Sequence, residues 1–178
     1  VQSGADAVYF AGKKFGARGY ADNFSEDEIR KAIDYCALRN VKTHVTVNTA
    51  CYDSELESVL NFVDFIYKEG ADAVIVSDLG IIRLIKKYFP ALSVHASTQM
   101  TIHNLSGAET AKKLGAERAV LSRELSEKEI KYISDNSDIE LEMFVHGALC
   151  MCYSGQCLLS SMIGKRSGNR GECAQPCR

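Results

Sequence analysis

Apolar residues along this chain fall into short runs set between longer stretches of helical periodicity, and the two kinds of segment alternate. The short runs occupy residues 5–10, 41–47, 73–76, 92–96, 118–121 and 139–145. They have the length and near-continuous apolarity of strands buried in a parallel sheet. Between them, residues 26–39, 55–69, 80–88, 103–114 and 127–134 read as helices; Ile29, Ala32, Ile33, Cys36 and Ala37 make one apolar face of the first. Ser25 with Glu28, Ser54 with Glu57 and Ser126 with Glu129 have capping-box spacing, in which serine and glutamate satisfy the free backbone donors of a first turn. Gly4, Gly70 and Gly115 each stand before an Ala-Asp or Ala-Glu pair and an apolar run, the punctuation of a helix stop followed by a buried strand.

Regular alternation without a long linker predicts an α/β fold with a parallel sheet and right-handed crossovers, either an open doubly wound sheet or a TIM-barrel-like (β/α) domain. The 178 residues, 46% of them hydrophobic, suffice for one domain with a core. The chain opens on Val1 and reads as an incomplete barrel, with residues 1–146 as the βα segment and 147–178 as a cysteine-rich loop region of the same domain. In a parallel barrel the chemistry gathers at the C-terminal strand ends. Residues 12–20, Asn48, Ser77, Asp78, 97–99, 122–124 and 146–157 fall there.

Composition sharpens this picture at the C-terminal end. Five of seven cysteines lie at Cys150, Cys152, Cys157, Cys173 and Cys177. Clustered thiols in odd number argue against a disulfide framework and for metal or redox use in a reducing, cytoplasmic setting. Soft thiolates suit zinc or an iron-sulfur cluster; the absence of paired Cys-x2-Cys knuckles favours the cluster, with zinc as the alternative. Cys36 reads as a core residue and Cys51 as an incidental loop thiol. No run approaches a membrane span. Net charge is −2, unevenly placed: residues 161–178 hold four cations against one anion, the remainder 17 cations against 22 anions. Arg166 and Arg170 thus stand in a basic segment beside the cysteines, suited to RNA or a small anionic substrate. Arg18 in the glycine-bearing first loop and Gln99 after the fourth strand are further substrate-binding candidates.

Acid/base candidates are His95, His103 and His146, with His146 best placed, directly after the last strand. His44, inside a strand, reads as structural. Glu142 is expected to share a strand face with Phe144 and His146, and Glu124 to face the same space. A carboxylate pointing into a barrel interior is costly unless paired, so Glu142 is either catalytic or the partner of an interior arginine. Two carboxylates and a histidine would suit metal-assisted hydrolysis, but no Gly-x-Ser-x-Gly elbow or His-Glu-x-x-His helix is present to support a familiar protease mechanism.

The run Glu142-x-Phe144-x-x-Gly147-Ala148-Leu149-Cys150-x4-Gly155-x-Cys157-x-Leu159-Ser160 resembles the defining motif of the collagenase-like peptidases, the U32 family of unassigned catalytic type. The likeness extends through residues 12–24, 95–100, 121–126 and 168–178. It implies a barrel-like domain, a nominal peptidase label, and relatives that use a cysteine-bound iron-sulfur cluster to hydroxylate RNA or a quinone precursor. By this resemblance Cys150, Cys157 and Cys173 match cluster ligands, with Cys177 the fourth candidate and Cys152 a spare. Three function classes follow: an iron-sulfur enzyme acting on RNA or a small aromatic precursor, a peptidase using Glu142 and His146 on a peptide substrate, and a cluster-stabilised binding module.

Overall fold

The computed structural model describes residues 1–177; Arg178, counted above with the basic C-terminal charges, lies outside the described residues. Six strands, β1 (Ala7–Ala11), β2 (Lys42–Val47), β3 (Ala73–Val76), β4 (Ser93–Ala96), β5 (Arg118–Val120) and β6 (Glu140–Glu142), alternate with helices α1 (Glu26–Ala37), α2 (Leu56–Lys68), α3 (Leu79–Tyr88), α4 (Leu105–Lys113) and α5 (Glu127–Asn136). A six-residue helix, α6 (Leu159–Gly164), follows in the cysteine-rich region.

The strands pair in chain order, every neighbour parallel. That order decides between the two architectures open to the sequence. Each crossover steps one strand in the same direction, so right-handed connections carry all the helices to one face. A doubly wound sheet needs a reversal of direction, and the described strands make none. The result is a curled half-barrel, TIM-like, with helices on its convex side.

Packing follows from the two-residue period of the strands. Val45, Val47, Val74, Val76 and Val94 face the helices and are buried against Ile29 and Ile33 of α1, Val63 and Ile66 of α2, and Ile82 and Ile85 of α3. A second cluster joins Ala96, Ala119 and Leu121 to Ala108 and Ala111 of α4 and Ile133 of α5. The intervening residues therefore line the concave face: Tyr9, His44 and Thr46, Ile75, His95, Arg118, Glu140 and Glu142.

Most of the predicted punctuation is present. Gly4, Gly70 and Gly115 all have positive φ. Ser25 and Ser126 make their capping boxes with Glu28 and Glu129. Ser54 does not. A 3-10 turn over Asp53–Glu55 forms there instead, in which the Tyr52 N–H donates to Glu55 Oε2 at 2.8 Å, and α2 begins only at Leu56. The last strand is also shorter than the apolar run predicts, ending at Glu142 instead of Val145. Its partner β5 pairs only as far as Val120 opposite Glu142, with one further bond from Leu121 N–H to the Glu142 carbonyl, and a strand without a ladder partner cannot continue. Phe144 and His146 accordingly sit in an exposed loop and share no strand face with Glu142.

If the valine ladder and its helix partners carry the stability, Ile82→Ala should cost about 2–5 kcal/mol. Leu38→Ala, at a residue 83% exposed, should stay within roughly 0.5 kcal/mol of wild type. Urea unfolding of the two variants decides this, and equal losses would contradict the packing described.

Candidate functional site

Residues 147–177 fold back over the C-terminal ends of the strands and are held there mainly through backbone atoms. Arg123, from the loop after β5, donates to the carbonyls of Cys150 and Cys152 and to Ser154 Oγ, each at 3.1 Å. Beside it Glu124 Oε1 accepts from Ser154 N–H at 3.0 Å and from Ser154 Oγ at 3.2 Å. Glu124 Oε2 lies 3.2 Å from His103 Nε2, and His103 donates from Nδ1 to the Thr101 carbonyl at 3.1 Å. From the loop after β4, Thr101 Oγ1 donates to the Ser154 carbonyl at 2.7 Å. Ser154 is thereby gripped from both sides and is 2% exposed. Gly155 follows it with φ +71°, packed so closely on Gln99 that a Cβ would overlap the Gln99 carbonyl.

Farther along, the segment meets the first two strand loops. Gly19 N–H donates to the Gly171 carbonyl at 2.7 Å, and Ala50 N–H to the Asn169 carbonyl at 3.0 Å. Arg170 donates to the Ala50 carbonyl and, through both terminal nitrogens, to Glu55 at 2.9 and 2.7 Å. Those bonds, with the Tyr52 N–H, hold the Glu55 carboxyl down to about 2. Arg170 is thus matched by a carboxylate, which argues against a free substrate cation there. Arg166 stacks on Tyr20, its guanidinium carbon 4.1 Å from the ring centroid, whereas Arg18 is exposed. Gln99 lines a cleft of about 350 Å³ with Ala50, Ser77, Asp78 and Asn169. Asp78 is occupied in capping α3, accepting from Gly80 and Ile81 N–H.

All seven cysteines are free thiols. Cys150, Cys173 and Cys177 are exposed, Cys152 and Cys157 half-buried, and Cys36 sits in the core as expected. The Cys152 thiol is pushed up chiefly by the neighbouring Cys157 side chain, with burial and the charge of Cys150 adding to it. Gly168 lies between two further candidates: a Cβ built there would stand 3.7 Å from both the Cys157 carbonyl and the Cys173 Cβ. Arg123 is the cation beside this thiol-bearing segment.

A separate group lies on the concave face. His44 and His95, placed by β2 and β4, stand with ring centroids 4.5 Å apart at 80°. Glu142 Oε2 accepts from Arg118 Nη1 at 3.2 Å, while Arg118 Nε and Nη2 both donate to Glu140, at 3.0 and 2.8 Å. Glu142 is therefore the partner of an interior arginine, one of the two roles open to it from sequence. Burial first, then the neighbouring His44 and Arg118, press the His95 pKa down to about 4. The two carboxylates expected to share one space engage different partners, Glu124 the cysteine loop and Glu142 Arg118, and His146 is exposed on the loop. Sequence reasoning missed Arg118, Arg123 and the facing of His44 on His95. Strict alternation in Thr43-His44-Val45-Thr46-Val47 and Ser93-Val94-His95-Ala96 was the available signal for the histidines: once the valines turn to the helices, the imidazoles must share the concave face.

A parallel, singly wound half-barrel carrying a thiol-bearing loop across its C-terminal strand ends defines a (β/α)-barrel domain of the kind that builds its site from strand-end loops. The chain belongs to peptidase family U32, whose family model matches residues 1–178. It is 42% identical over 178 residues to the 23S rRNA 5-hydroxycytidine C2501 synthase of Escherichia coli, covering all of this chain and 27% of that protein. It is 36% identical over 178 residues to tRNA hydroxylation protein P1 of Bacillus subtilis, covering 42% of it. The chain thus spans less than half the length of these relatives. A solved structure of the U32 peptidase Mk0906 superposes with a TM-score of 0.67 at 17% identity, over 78% of this chain and 60% of that one, and shows the same fold.

Two outcomes test the grip on the cysteine loop. Gly155→Ala should loosen residues 147–177 and speed their cleavage by a protease at least several-fold, whereas Gly164→Ala, where a Cβ meets nothing closer than 4.0 Å, should not; equal cleavage would refute the close approach. The Glu55 carboxyl, depressed in the folded state, contributes stability that is present above its unfolded pKa of roughly 4.3 and lost as pH falls toward about 2. The stability gap between wild type and Glu55→Gln, measured by urea unfolding at successive pH values, should be constant above about pH 5.5 and narrow below it. A gap that stays unchanged down to pH 3 would show that Arg170 does not act through this carboxylate.

Proposed function

We propose that this chain is the cluster-binding portion of an enzyme that hydroxylates RNA, with an iron-sulfur cluster held by Cys150, Cys157, Cys173 and Cys177. The observation that carries the reading is the gathering of five free cysteines on a segment fastened over the barrel mouth, in a chain similar along its full length to proteins named for rRNA and tRNA hydroxylation. A cluster spreads its thiolates over several iron atoms, whereas one zinc ion draws four sulfurs into a single tetrahedron. The cluster would supply redox chemistry at the strand ends. Arg123 orients the loop that presents Cys150 and Cys152 through their carbonyls. Arg18 and Arg166, with Lys13 and Lys14, would meet the phosphates of an RNA, and Gln99 would meet a group entering the cleft. Such a substrate places the protein in the cytoplasm. None of the described helices is long and apolar enough to cross a membrane.

Full-length protein purified without oxygen should be brown and contain iron and sulfide. Cys150→Ser, Cys157→Ser and Cys173→Ser should each lose the visible absorption and, in a deletion strain complemented with the variant, the hydroxylated nucleoside in total RNA. Cys36→Ser should keep both. A colourless, iron-free wild type that cleaves peptides and tolerates all three changes would replace this reading with the peptidase one, in which Glu142→Gln or His146→Ala abolishes cleavage.

A further inference from the structure

In a (β/α) barrel the interior is filled in layers, each supplied by alternate strands and dominated by bulky branched side chains. His44 comes from β2, His95 from β4 and Glu142 from β6. Three members of one interior layer are thus two imidazoles and a carboxylate. Each offers a ligand atom, and these atoms all lie within 4.8 Å of one another, the one such trio of His, Cys, Asp or Glu among the described residues.

The trio is poorly explained as packing alone. His44 is 5% and His95 4% exposed, and His95 Nδ1 is buried without a hydrogen-bond partner, as is Thr46 Oγ1 on the same face. An orphaned buried polar atom costs about 1–3 kcal/mol, a penalty relieved by a ligand at that position. We propose that His44, His95 and Glu142 form a binding site for one divalent first-row transition-metal ion, separate from the cysteines. Imidazole nitrogen with a carboxylate oxygen is the donor set that zinc and iron(II) accept, leaving further coordination positions open to water or substrate.

Charge and geometry both permit it. Arg118 is satisfied chiefly by Glu140, with two hydrogen bonds, and reaches Glu142 by one bond to Oε2. Glu142 Oε1 has no hydrogen-bond partner among the described residues and is available to an ion. Glu140, Glu142 and Asp72 against Arg118 and Lys42 leave the groups around this face one negative charge in excess, which a divalent cation more than matches. Arg118 then acts as the outer partner that orients a ligating carboxylate. Bonds of roughly 2 Å in a tetrahedral shell set ligand atoms roughly 3.4 Å apart, so binding requires side-chain rotation to draw the trio inward. The site does not depend on the cysteine reading, and either can fail without the other.

Cobalt(II) serves as the probe, titrated into chelator-treated, full-length protein. The wild type should bind one ion whose absorption shows ligand-field bands without a thiolate-to-cobalt charge-transfer band, and the proton spectrum should show paramagnetically shifted imidazole N–H resonances. His44→Gln, His95→Gln and Glu142→Gln should each weaken binding at least ~100-fold, while Cys150→Ser leaves this signal intact. Zinc should raise the melting temperature of the wild type, and the glutamine variants should lose that rise while melting cooperatively without metal. Should a glutamine variant fail to fold, the shifted imidazole resonances of the wild type and weakened but retained binding by Glu142→Asp decide the matter. Wild-type affinity in all three glutamine variants, bands that carry thiolate charge transfer and vanish in Cys150→Ser, or no shifted imidazole resonance would overturn the proposal.

Discussion

The division of each strand into two chemically different faces is the constraint on which this structure rests. Val45, Val47, Val74, Val76 and Val94 must be covered, and the only cover available is the convex layer of helices. Fixing those valines outward leaves no freedom for the residues between them. His44, Thr46, His95, Arg118, Glu140 and Glu142 are driven onto the concave side, whatever their own cost of burial. Burial of apolar area on one face, at about 25 cal/mol per Å², offsets the crowding of polar groups on the other. The paired guanidinium and carboxylates there reduce that cost locally.

The same constraint explains what could be read in advance. Strand positions, helix positions and two of three capping boxes depend on contacts within a few residues, so the local pattern contains them. Strand order depends on the direction of successive crossovers, which no local pattern records; alternation alone left both a doubly wound sheet and a barrel open. The end of β6 depends on where β5 stops pairing, and so the apolar run to Val145 overstates it. Helix α6 has too few residues for its periodicity to register. Cysteines announced themselves through clustering, yet the groups that fasten their loop did not. Arg123 and Glu124 are 31 and 30 residues from Ser154, and a charged pair after a short strand looks like any solvated loop until the partner is folded onto it.

His146 shows how sequence adjacency can mislead. Lying four residues before Cys150, it reads as part of the same chemistry. The chain, however, leaves the sheet at Glu142, and the side chains that meet in the barrel interior come from strands about 50 residues apart in sequence. Proximity in a barrel is set by strand spacing and register, which bring every second strand to a common level. His44, set aside as structural because it lies within a strand, is placed there by the same rule.

Arg123 takes hold of the cysteine loop through the carbonyls of Cys150 and Cys152 and the hydroxyl of Ser154. Every peptide unit has a carbonyl, so at positions 150 and 152 the grip is indifferent to which side chain is present. Loop shape is thereby uncoupled from loop chemistry. The two thiols bear none of the mechanical work of holding the segment in place, and the reactivity of this edge of the barrel is free to change by substitution at single positions without the architecture having to be solved again.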